Sequence, residues 1–248
     1  VNFGIKPIVS LQNNSIPVWF ENIGSFLSDK SIIFFERYTE YVVRNLGETI
    51  SNWITFNDAN LRLLNKYLKD KSKPSVKNRD FFIELNNIIL SHIKSYGKIY
   101  EISLNYNKKD VKVGFSLNLP FFNSKNSLID KMSLEKANKY FYEAFLIGMG
   151  EGRLIKKNLR DFRNGKTLFF DFLGINYYNL YKVNFSFTEL VKAEPVSENL
   201  RENFEGIDEL FDKKFKKIPR PIIFIENRGG DSLNGCLNAR VITPDLND

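Results

Sequence analysis

The sequence predicts an α/β fold built on a parallel sheet. Segments with the apolar patterns of β-strands alternate along the chain with segments that have the apolar spacing of amphipathic helices. This alternation favours a parallel sheet, because two parallel strands must be joined by a crossover connection, which is usually a helix. No internal repeat or low-complexity segment divides the 248 residues, so a single domain covering residues 1–248 is expected.

The predicted elements follow one another with short connections. Strands are predicted over residues 5–11, 53–56, 111–119 and 222–226 and, within residues 168–178, over residues 170–175, each a short run rich in branched and aromatic side chains. Helices are predicted from a Ser28 cap to Gly47, over residues 81–96, after Ser133, and over residues 207–215. The order strand, helix, strand, helix is therefore maintained along most of the chain.

Composition excludes several classes of function. The net charge of +7 is spread over short runs that lack interleaved aromatic residues, so nucleic-acid binding is not expected. A single cysteine, Cys236, excludes an internal disulfide framework. No apolar run reaches the roughly 18 residues of a membrane span, and the expected location is the cytoplasm. No cofactor or metal ion is expected.

Two of the predicted strands end on an acidic residue. Residues 53–57 lead into Asp58, and residues 222–225 lead into Glu226 after the break at Pro219 and Pro221. If these strands are parallel in one sheet, both carboxylates lie at the same rim. Glycosidases place a catalytic acid and a nucleophile in this way, on either side of a sugar bond.

Five segments resemble motifs of glycoside hydrolase family 1, the β-glucosidase and phospho-β-glucosidase family. Residues 53–58 resemble its W-x-T-F-N-E-P motif, residues 171–178 closely match its D-F-L-G-I-N-Y-Y segment, and residues 224–227 resemble its I/V-T-E-N-G motif. Residues 4–11 look like its third barrel strand, and residues 17–20 are similar to its P-x-W-L sequence. The segments occur in the family's order, spread along nearly the whole chain.

The resemblance implies a (β/α)₈ barrel with its site at the carboxyl ends of the strands. The chain would supply the third to seventh strands of that barrel, and so form a partial or modified barrel. Without the first two strands and the last one, edges and apolar faces of the sheet would be open. The open edges therefore point to a fragment of a longer chain, to a rebuilt smaller fold, or to a protein partner that covers the open barrel edges.

The resemblance also implies roles for the two acids. Glu226 matches the nucleophile of the family, and Tyr177 matches a tyrosine that hydrogen-bonds this nucleophile. Asp58 occupies the position of the acid/base, which is a glutamate in the family. The expected ligand or substrate is a β-glycoside.

Three asparagines are the expected sugar-binding residues. Asn57 matches the family asparagine that contacts the sugar 2-hydroxyl, and Asn176 belongs to the matched N-Y-Y sequence. Asn13 stands where the family has a histidine that binds the sugar. Asn60 matches the N-E-I-N sequence that is common in the phospho-β-glucosidase branch, whereas His92, the only histidine, is interpreted as a packing or surface residue of a helix.

Several positions depart from the family motifs. Aspartate at position 58 is one methylene shorter than glutamate, which withdraws the acid by roughly 1 Å, and misplacement of that size can cost about a hundredfold in rate. Ala59, Ile225 and Arg228 replace the family's proline, threonine and glycine. Two alternative functions are predicted. The chain is either a degenerate glycosidase-like protein with low or no activity that serves as a structural or binding subunit, or an active retaining β-glycosidase. The first is favoured, because catalysis tolerates displacements of only about half an ångström.

Overall fold

A computed structural model of the chain describes most of the predicted elements. It describes residues 5–13, 15–69, 79–118, 121–124, 138–155, 168–177, 180–186, 189–195, 218–227 and 241–242, together with residue 135. The predicted helix over residues 207–215 and the first part of the helix predicted after Ser133 lie outside these residues.

The main sheet has six strands in the described residues, and five of them are parallel. Its order is β1 (Ile8–Gln12), β2 (Asn52–Phe56), β3 (Lys112–Asn118), β5 (Phe172–Tyr177), β8 (Ile222–Asn227) and β9 (Val241–Ile242). Strands β1, β2, β3, β5 and β8 are parallel neighbours, while β9 pairs with β8 in the antiparallel direction. The predicted α/β fold with a parallel sheet is confirmed, and all five predicted strands are present.

A second, smaller sheet was not predicted. It consists of β4 (Phe121–Ser124), β6 (Leu180–Ser186) and β7 (Glu189–Pro195). Strand β6 pairs with β4 in parallel and with β7 in the antiparallel direction. The β6–β7 hairpin follows β5 directly, so it is an insertion before the connection to β8.

Helices cover the connections between the parallel strands. They are α1 (Val18–Asn22), α2 (Lys30–Leu46), α3 (Leu61–Leu64), α4 (Arg79–Asn105) and α5 (Ala144–Glu151), with π-helical turns at Asn65–Lys69 and Lys139–Glu143. The prediction that Ser28 caps the helix is wrong, because Asp29 is the residue that directly precedes α2. The Ser28 carbonyl instead accepts a hydrogen bond from the Ser31 N–H. Helix α4 continues nine residues beyond the predicted end, because Gly97 does not interrupt it and Ile99 and Ile102 remain buried.

The core lies between the parallel sheet and helices α2 and α4, and it is rich in aromatic side chains. Trp53 and Phe115 are fully buried at the centre of the sheet. Phe35 of α2 stacks on Phe56 of β2 with ring centroids 4.5 Å apart, and Phe26 packs edge-on against both rings. This packing fixes the carboxyl end of β2, where the candidate site begins.

The two ends of the main sheet differ. At the β8 end, β9 pairs with Ile222 and Ile223. At the β1 end, Ile5 and Ile8 are 67% and 42% exposed, and the Tyr38 hydroxyl donates a hydrogen bond to the Leu11 carbonyl (2.9 Å). The described residues therefore leave β1 as an edge strand, one carbonyl of which is bound by a side chain.

Candidate functional site

The register of the parallel strands brings the predicted site positions to one rim. Strand β1 pairs Gln12 with Phe56 of β2, and the Asn57 N–H donates to the Gln12 carbonyl (2.8 Å). Further along the sheet, Asn118 pairs with Asn176, and Asn176 pairs with Glu226. Because these residues lie at the carboxyl ends of their strands, the backbone positions of both predicted acids share this rim.

Asp58 is buried at the rim and held by the neighbouring strands. Its residue is 3% exposed, and its backbone has a φ of 55°, a left-handed conformation that aspartate tolerates better than most residues. Asn176 Nδ2 donates to Asp58 Oδ1 (2.7 Å), and the Asp58 N–H donates to Ser116 Oγ (2.9 Å). The carboxylate is therefore engaged with the end of β5 rather than exposed at a surface.

Asn57 and Asn176 are bonded to each other and to the same serine. Asn176 Nδ2 donates to Asn57 Oδ1 (2.8 Å) and lies 3.3 Å from Ser116 Oγ, which itself donates a short hydrogen bond to Asn57 Oδ1. All three residues are at most 5% exposed. They form with Asp58 a buried polar network that joins the ends of β2, β3 and β5.

Ser116 is a member of the site that was not predicted from the sequence. Its one signal is a polar side chain within the otherwise apolar residues 113–117, and its partners belong to other strands. Since a serine in a strand has many ordinary explanations, only the contacts reveal that it connects three of the predicted positions.

Glu226, Tyr177 and Asn13 occupy the strand ends around this network. Glu226 is next to Asn176 in the register of β5 and β8, and Tyr177 pairs with Asn227 at the following position. Asn13 comes directly after β1 and is exposed. The backbone thus places the predicted nucleophile and its predicted tyrosine partner on adjacent strands, one register step apart.

Gly174 allows a close approach of strands beneath the site. A Cβ atom at this position would lie 2.7 Å from the Ser116 Cβ and closer still to the Ile225 Cδ1. Ile225 therefore packs its apolar side chain over Gly174, next to the position of Glu226. Glycine is therefore needed at position 174 for packing, because the side chain of Ile225 fills the space that a Cβ atom would occupy.

Asn60 joins the start of α3 to the end of β3. Its Nδ2 donates to the carbonyls of Asn118 (2.6 Å) and Phe141 (2.7 Å), and its Oδ1 accepts the Asn118 N–H (2.8 Å). The side chain is completely buried. These three bonds to the backbone give Asn60 a structural role that does not require a phosphorylated substrate.

A separate ionic cluster connects α3 to α4. Glu84, whose side chain is fully buried, accepts hydrogen bonds from Arg62 (3.1 Å), Lys66 (2.5 Å) and Tyr67 (3.0 Å). Burial, followed by the charge of Glu84, raises the pKa of the Tyr67 hydroxyl. Arg62 also donates to Ser25 Oγ (2.9 Å). The cluster ties together the segments that follow β1 and β2.

His92 lies outside the candidate site and is a packing residue. It is completely buried, its Nδ1 lies 2.6 Å from Thr55 Oγ1, and its Nε2 lies 2.7 Å from the Phe169 carbonyl. Since a carbonyl can only accept, Nε2 carries the hydrogen and Nδ1 accepts the Thr55 hydroxyl. Burial lowers the pKa of the imidazole to about 4, so the ring is neutral at pH 7.

The residues that the structure describes contain neither a metal-binding cluster nor a membrane-spanning helix. In that part of the chain, no three His, Cys, Asp or Glu side chains are grouped so that they could hold a metal ion. None of the helices within it has the length and apolarity needed to cross a membrane.

Comparisons with known proteins agree with the fold and the motifs. The model of glycosyl hydrolase family 1 matches residues 1–201, a range that includes Asp58 and Asn176 and ends before Glu226. β-Glucosidase 47 of Arabidopsis thaliana is 26% identical over 204 residues, which are 71% of this chain and 37% of the relative. β-Glucosidase A of Acetivibrio thermocellus is 23% identical over 229 residues, which are 85% of this chain and 47% of the relative. A chloroplastic galactolipid galactosyltransferase of A. thaliana is 24% identical over 247 residues, which are 92% of this chain and 36% of the relative.

Solved structures show the same partial match. A β-glycosidase from Pyrococcus horikoshii superimposes with a TM-score of 0.67 and 23% identity, covering 89% of this chain and 52% of that protein. A β-glucosidase from Exiguobacterium marinum superimposes with a TM-score of 0.64 and 18% identity, covering 90% of this chain and 57% of that protein. The chain spans between about a third and a half of the length of the curated relatives described above. Its sheet therefore has the fold of part of a glycosidase barrel.

Proposed function

Because this chain belongs to glycosyl hydrolase family 1, we propose that it is a degenerate glycosidase-like protein with low or no hydrolytic activity that serves as a binding or structural subunit. The observation that carries the proposal is the position of Asp58. It occupies the acid/base position, is 3% exposed and is bonded to the protein through both its carboxylate and its backbone N–H.

A general acid must come within about 2.6–3.2 Å of the oxygen that it protonates. Asp58 is one methylene shorter than the glutamate of the family motif, and one of its carboxylate oxygens is bound by Asn176. Its left-handed backbone and the bond to Ser116 hold the residue against the end of β3. These features disfavour proton donation to a glycosidic oxygen in the cleft.

The same network supports binding. Asn57 and Asn176 are held by each other and by Ser116, so their amides need little reorganisation when a ligand arrives. We propose a β-glycoside as this ligand. Ile225 packs beside the position of Glu226 and replaces a threonine of the family motif, which fits a site that has lost polar groups around its nucleophile.

We extend the proposal to a protein partner at the β1 edge and to a cytoplasmic location. The support for the partner is the exposure of Ile8 on the edge strand β1 and of Ile5 just before it, an arrangement that proteins usually cover. Sedimentation of the chain together with its partner tests this. The 28.9-kDa chain is expected to have a larger native mass than it has alone, and the Ile8→Lys variant is expected to lose the extra mass. An unchanged mass for both would remove this part of the proposal.

The second candidate is an active retaining β-glycosidase with Glu226 as nucleophile and Asp58 as acid/base. One observation favours it: Asn176 pairs in register with Glu226 and also donates to Asp58, so both acids flank one asparagine. Retaining enzymes hold their two carboxyl groups about 5–5.5 Å apart. Strands β3 and β5 lie between β2, which precedes Asp58, and β8, which carries Glu226, but the Asp58 side chain reaches Asn176 of β5, the register neighbour of Glu226, and this is compatible with that requirement.

An active-site label separates the two candidates. The full chain is incubated with a 2-deoxy-2-fluoro-β-glycoside that has a dinitrophenyl leaving group, which requires no acid, and its intact mass is measured. An unchanged mass is expected, together with binding of a non-hydrolysable β-thioglycoside. A mass increase of one fluorosugar that is absent in Glu226→Gln would instead show a working nucleophile in an assembled site and would favour the active glycosidase. Equal turnover of activated and ordinary aryl glycosides would show that Asp58 works as an acid.

A further inference from the structure

Among the residues that the structure describes, the side chain of Asn118, at the end of β3, has no hydrogen-bond partner. Its residue is 1% exposed, and neither its Nδ2 nor its Oδ1 is bonded to another group. Its backbone is fixed by Asn60, which binds both its N–H and its carbonyl. The unpartnered amide is therefore held in one place by a rigid support.

A second unpartnered atom lies beside it. Asn176 Oδ1 is buried and has no partner in the described part of the chain, and Asn176 is the register partner of Asn118 on β5. The orientation of the Asn176 amide is set by its neighbours, because its nitrogen faces the acceptors of Asn57 and Asp58. Register partners on neighbouring strands lie about 4.8 Å apart and point to the same face of the sheet.

The unpartnered atoms match a hydroxyl group. Asn118 Oδ1 and Asn176 Oδ1 are acceptors, and Asn118 Nδ2 is a donor. A hydroxyl both donates and accepts, so it can satisfy one acceptor and the donor together. An anionic group is disfavoured at this place, because the carboxylate of Asp58 lies on the other side of the Asn176 amide.

We propose that Asn118 and Asn176 form a hydroxyl-binding pair at the ends of β3 and β5, and that the pair takes a hydroxyl of a neutral sugar. Asn118 is thereby assigned as a ligand-binding residue of the candidate site. This assignment rests on the proposed glycoside-binding function and specifies the chemistry of the ligand: an uncharged polyhydroxyl group is favoured over a phosphorylated one.

Leucine is the informative substitution, because it has nearly the shape of asparagine and lacks the amide. Removing an unpartnered buried amide does not weaken the fold, so Asn118→Leu is expected to unfold at the same temperature as the wild type or higher. Its affinity for the sugar is expected to fall about tenfold or more, as for the loss of one or two hydrogen bonds. Ser91→Ala is the matched control, since Ser91 is also fully buried with an unpartnered hydroxyl, but lies on α4.

Binding is measured by calorimetry on the full chain with methyl β-thioglucoside, thiogalactoside and thiomannoside, which are not hydrolysed. Wild type and Ser91→Ala are expected to bind one of these alike, and Asn118→Leu about tenfold more weakly. Monodeoxy forms of that sugar, each lacking one hydroxyl, are then compared with the complete sugar. One of them should bind the wild type about tenfold more weakly than the complete sugar does. The same form should bind Asn118→Leu with the same affinity as the complete sugar does. A purely structural role of Asn118 would not produce this pattern.

Two outcomes would overturn the proposal, and they are distinguishable. If the wild type binds a thioglycoside and Asn118→Leu binds it equally well, the hydroxyl-binding pair is refuted while the glycoside-binding function stands. If the wild type binds none of the three sugars, the glycoside-binding function itself fails, and the hydroxyl-binding pair fails with it. Tighter binding of a 6-phosphorylated form through the Asn118 amide would refute the stated preference for a neutral ligand.

Discussion

Replacing Asn60 by alanine is expected to destabilise the fold by about 3–6 kcal/mol. The side chain is fully buried, and its amide serves three backbone groups: two carbonyls, of Asn118 and Phe141, and the Asn118 N–H. Alanine leaves all three without this partner where the folded chain excludes water. Each such loss costs about 1–2 kcal/mol, and the sum exceeds the effect of an ordinary surface substitution several times.

Asn60→Asp tests the direction of these bonds. The new carboxyl group keeps an acceptor for the Asn118 N–H, but it places an oxygen where Nδ2 now donates to two carbonyls at 2.6 and 2.7 Å. Burial and the facing carbonyls would raise the pKa of this group in the folded state. Since the folded state then binds the proton more tightly, the loss of stability should be largest at neutral pH and should shrink as the pH falls.

Urea unfolding followed by tryptophan fluorescence measures both effects, because Trp53 is fully buried in the core. Each variant is compared with the wild type at pH 7 and pH 5. Asn45→Ala is the control, as the Asn45 amide is exposed and donates to a single carbonyl, so a change within about 0.5 kcal/mol is expected. A loss below about 1 kcal/mol for Asn60→Ala, or an aspartate variant that is weaker at pH 5 than at pH 7, would refute the reasoning.

Three further changes are expected to have measurable effects. Burial lowers the pKa of His92 from 6.5 to about 4. Because the unfolded chain is protonated first, the free energy of unfolding should decrease by about 3 kcal/mol as the pH falls from about 6.5 to about 4. In urea titrations, His92→Gln should lack this dependence on pH. Gly174→Ala should cost about 1–3 kcal/mol, because its Cβ meets the Ile225 Cδ1, and Ile225→Val should recover part of the loss in a double-mutant cycle. Glu84→Gln should cost about 3–5 kcal/mol by leaving two cationic side chains without their buried partner, whereas Glu40→Gln, in an exposed pair, should change the unfolding midpoint little.

The parallel strands could be predicted from the sequence because each is recognisable locally. Residues 53–56 and 222–226 are short apolar runs bounded by polar residues or prolines, and such runs form buried strands wherever helices can cover them. The β6–β7 hairpin was missed, because its strands mix charged and apolar residues without a clear alternation. The end of α4 was also missed, since a single glycine at position 97 is a weak stop signal when the apolar spacing continues.

The candidate site was predictable only where a motif carried it. Asp58, Asn57 and Asn176 belong to matched segments, and the structure brings their side chains into direct contact. Ser116 and Asn118 belong to none of those segments and are ordinary polar residues of a strand. Their importance follows from the register of β3 against its neighbours, which neither local composition nor periodicity specifies.

Apolar patterning and motif spacing are local properties, so the fold class, the five parallel strands and the positions of two acids at strand ends could be predicted from the order of the residues. The burial of Asp58 and its hydrogen bonds depend instead on long-range contacts in the folded chain. Its partner amide is 118 residues away in Asn176, and its backbone partner is 58 residues away in Ser116. Contacts of this kind depend on how the strands align in three dimensions, and that alignment decides whether a carboxylate at a strand end is exposed to a substrate or engaged by the protein.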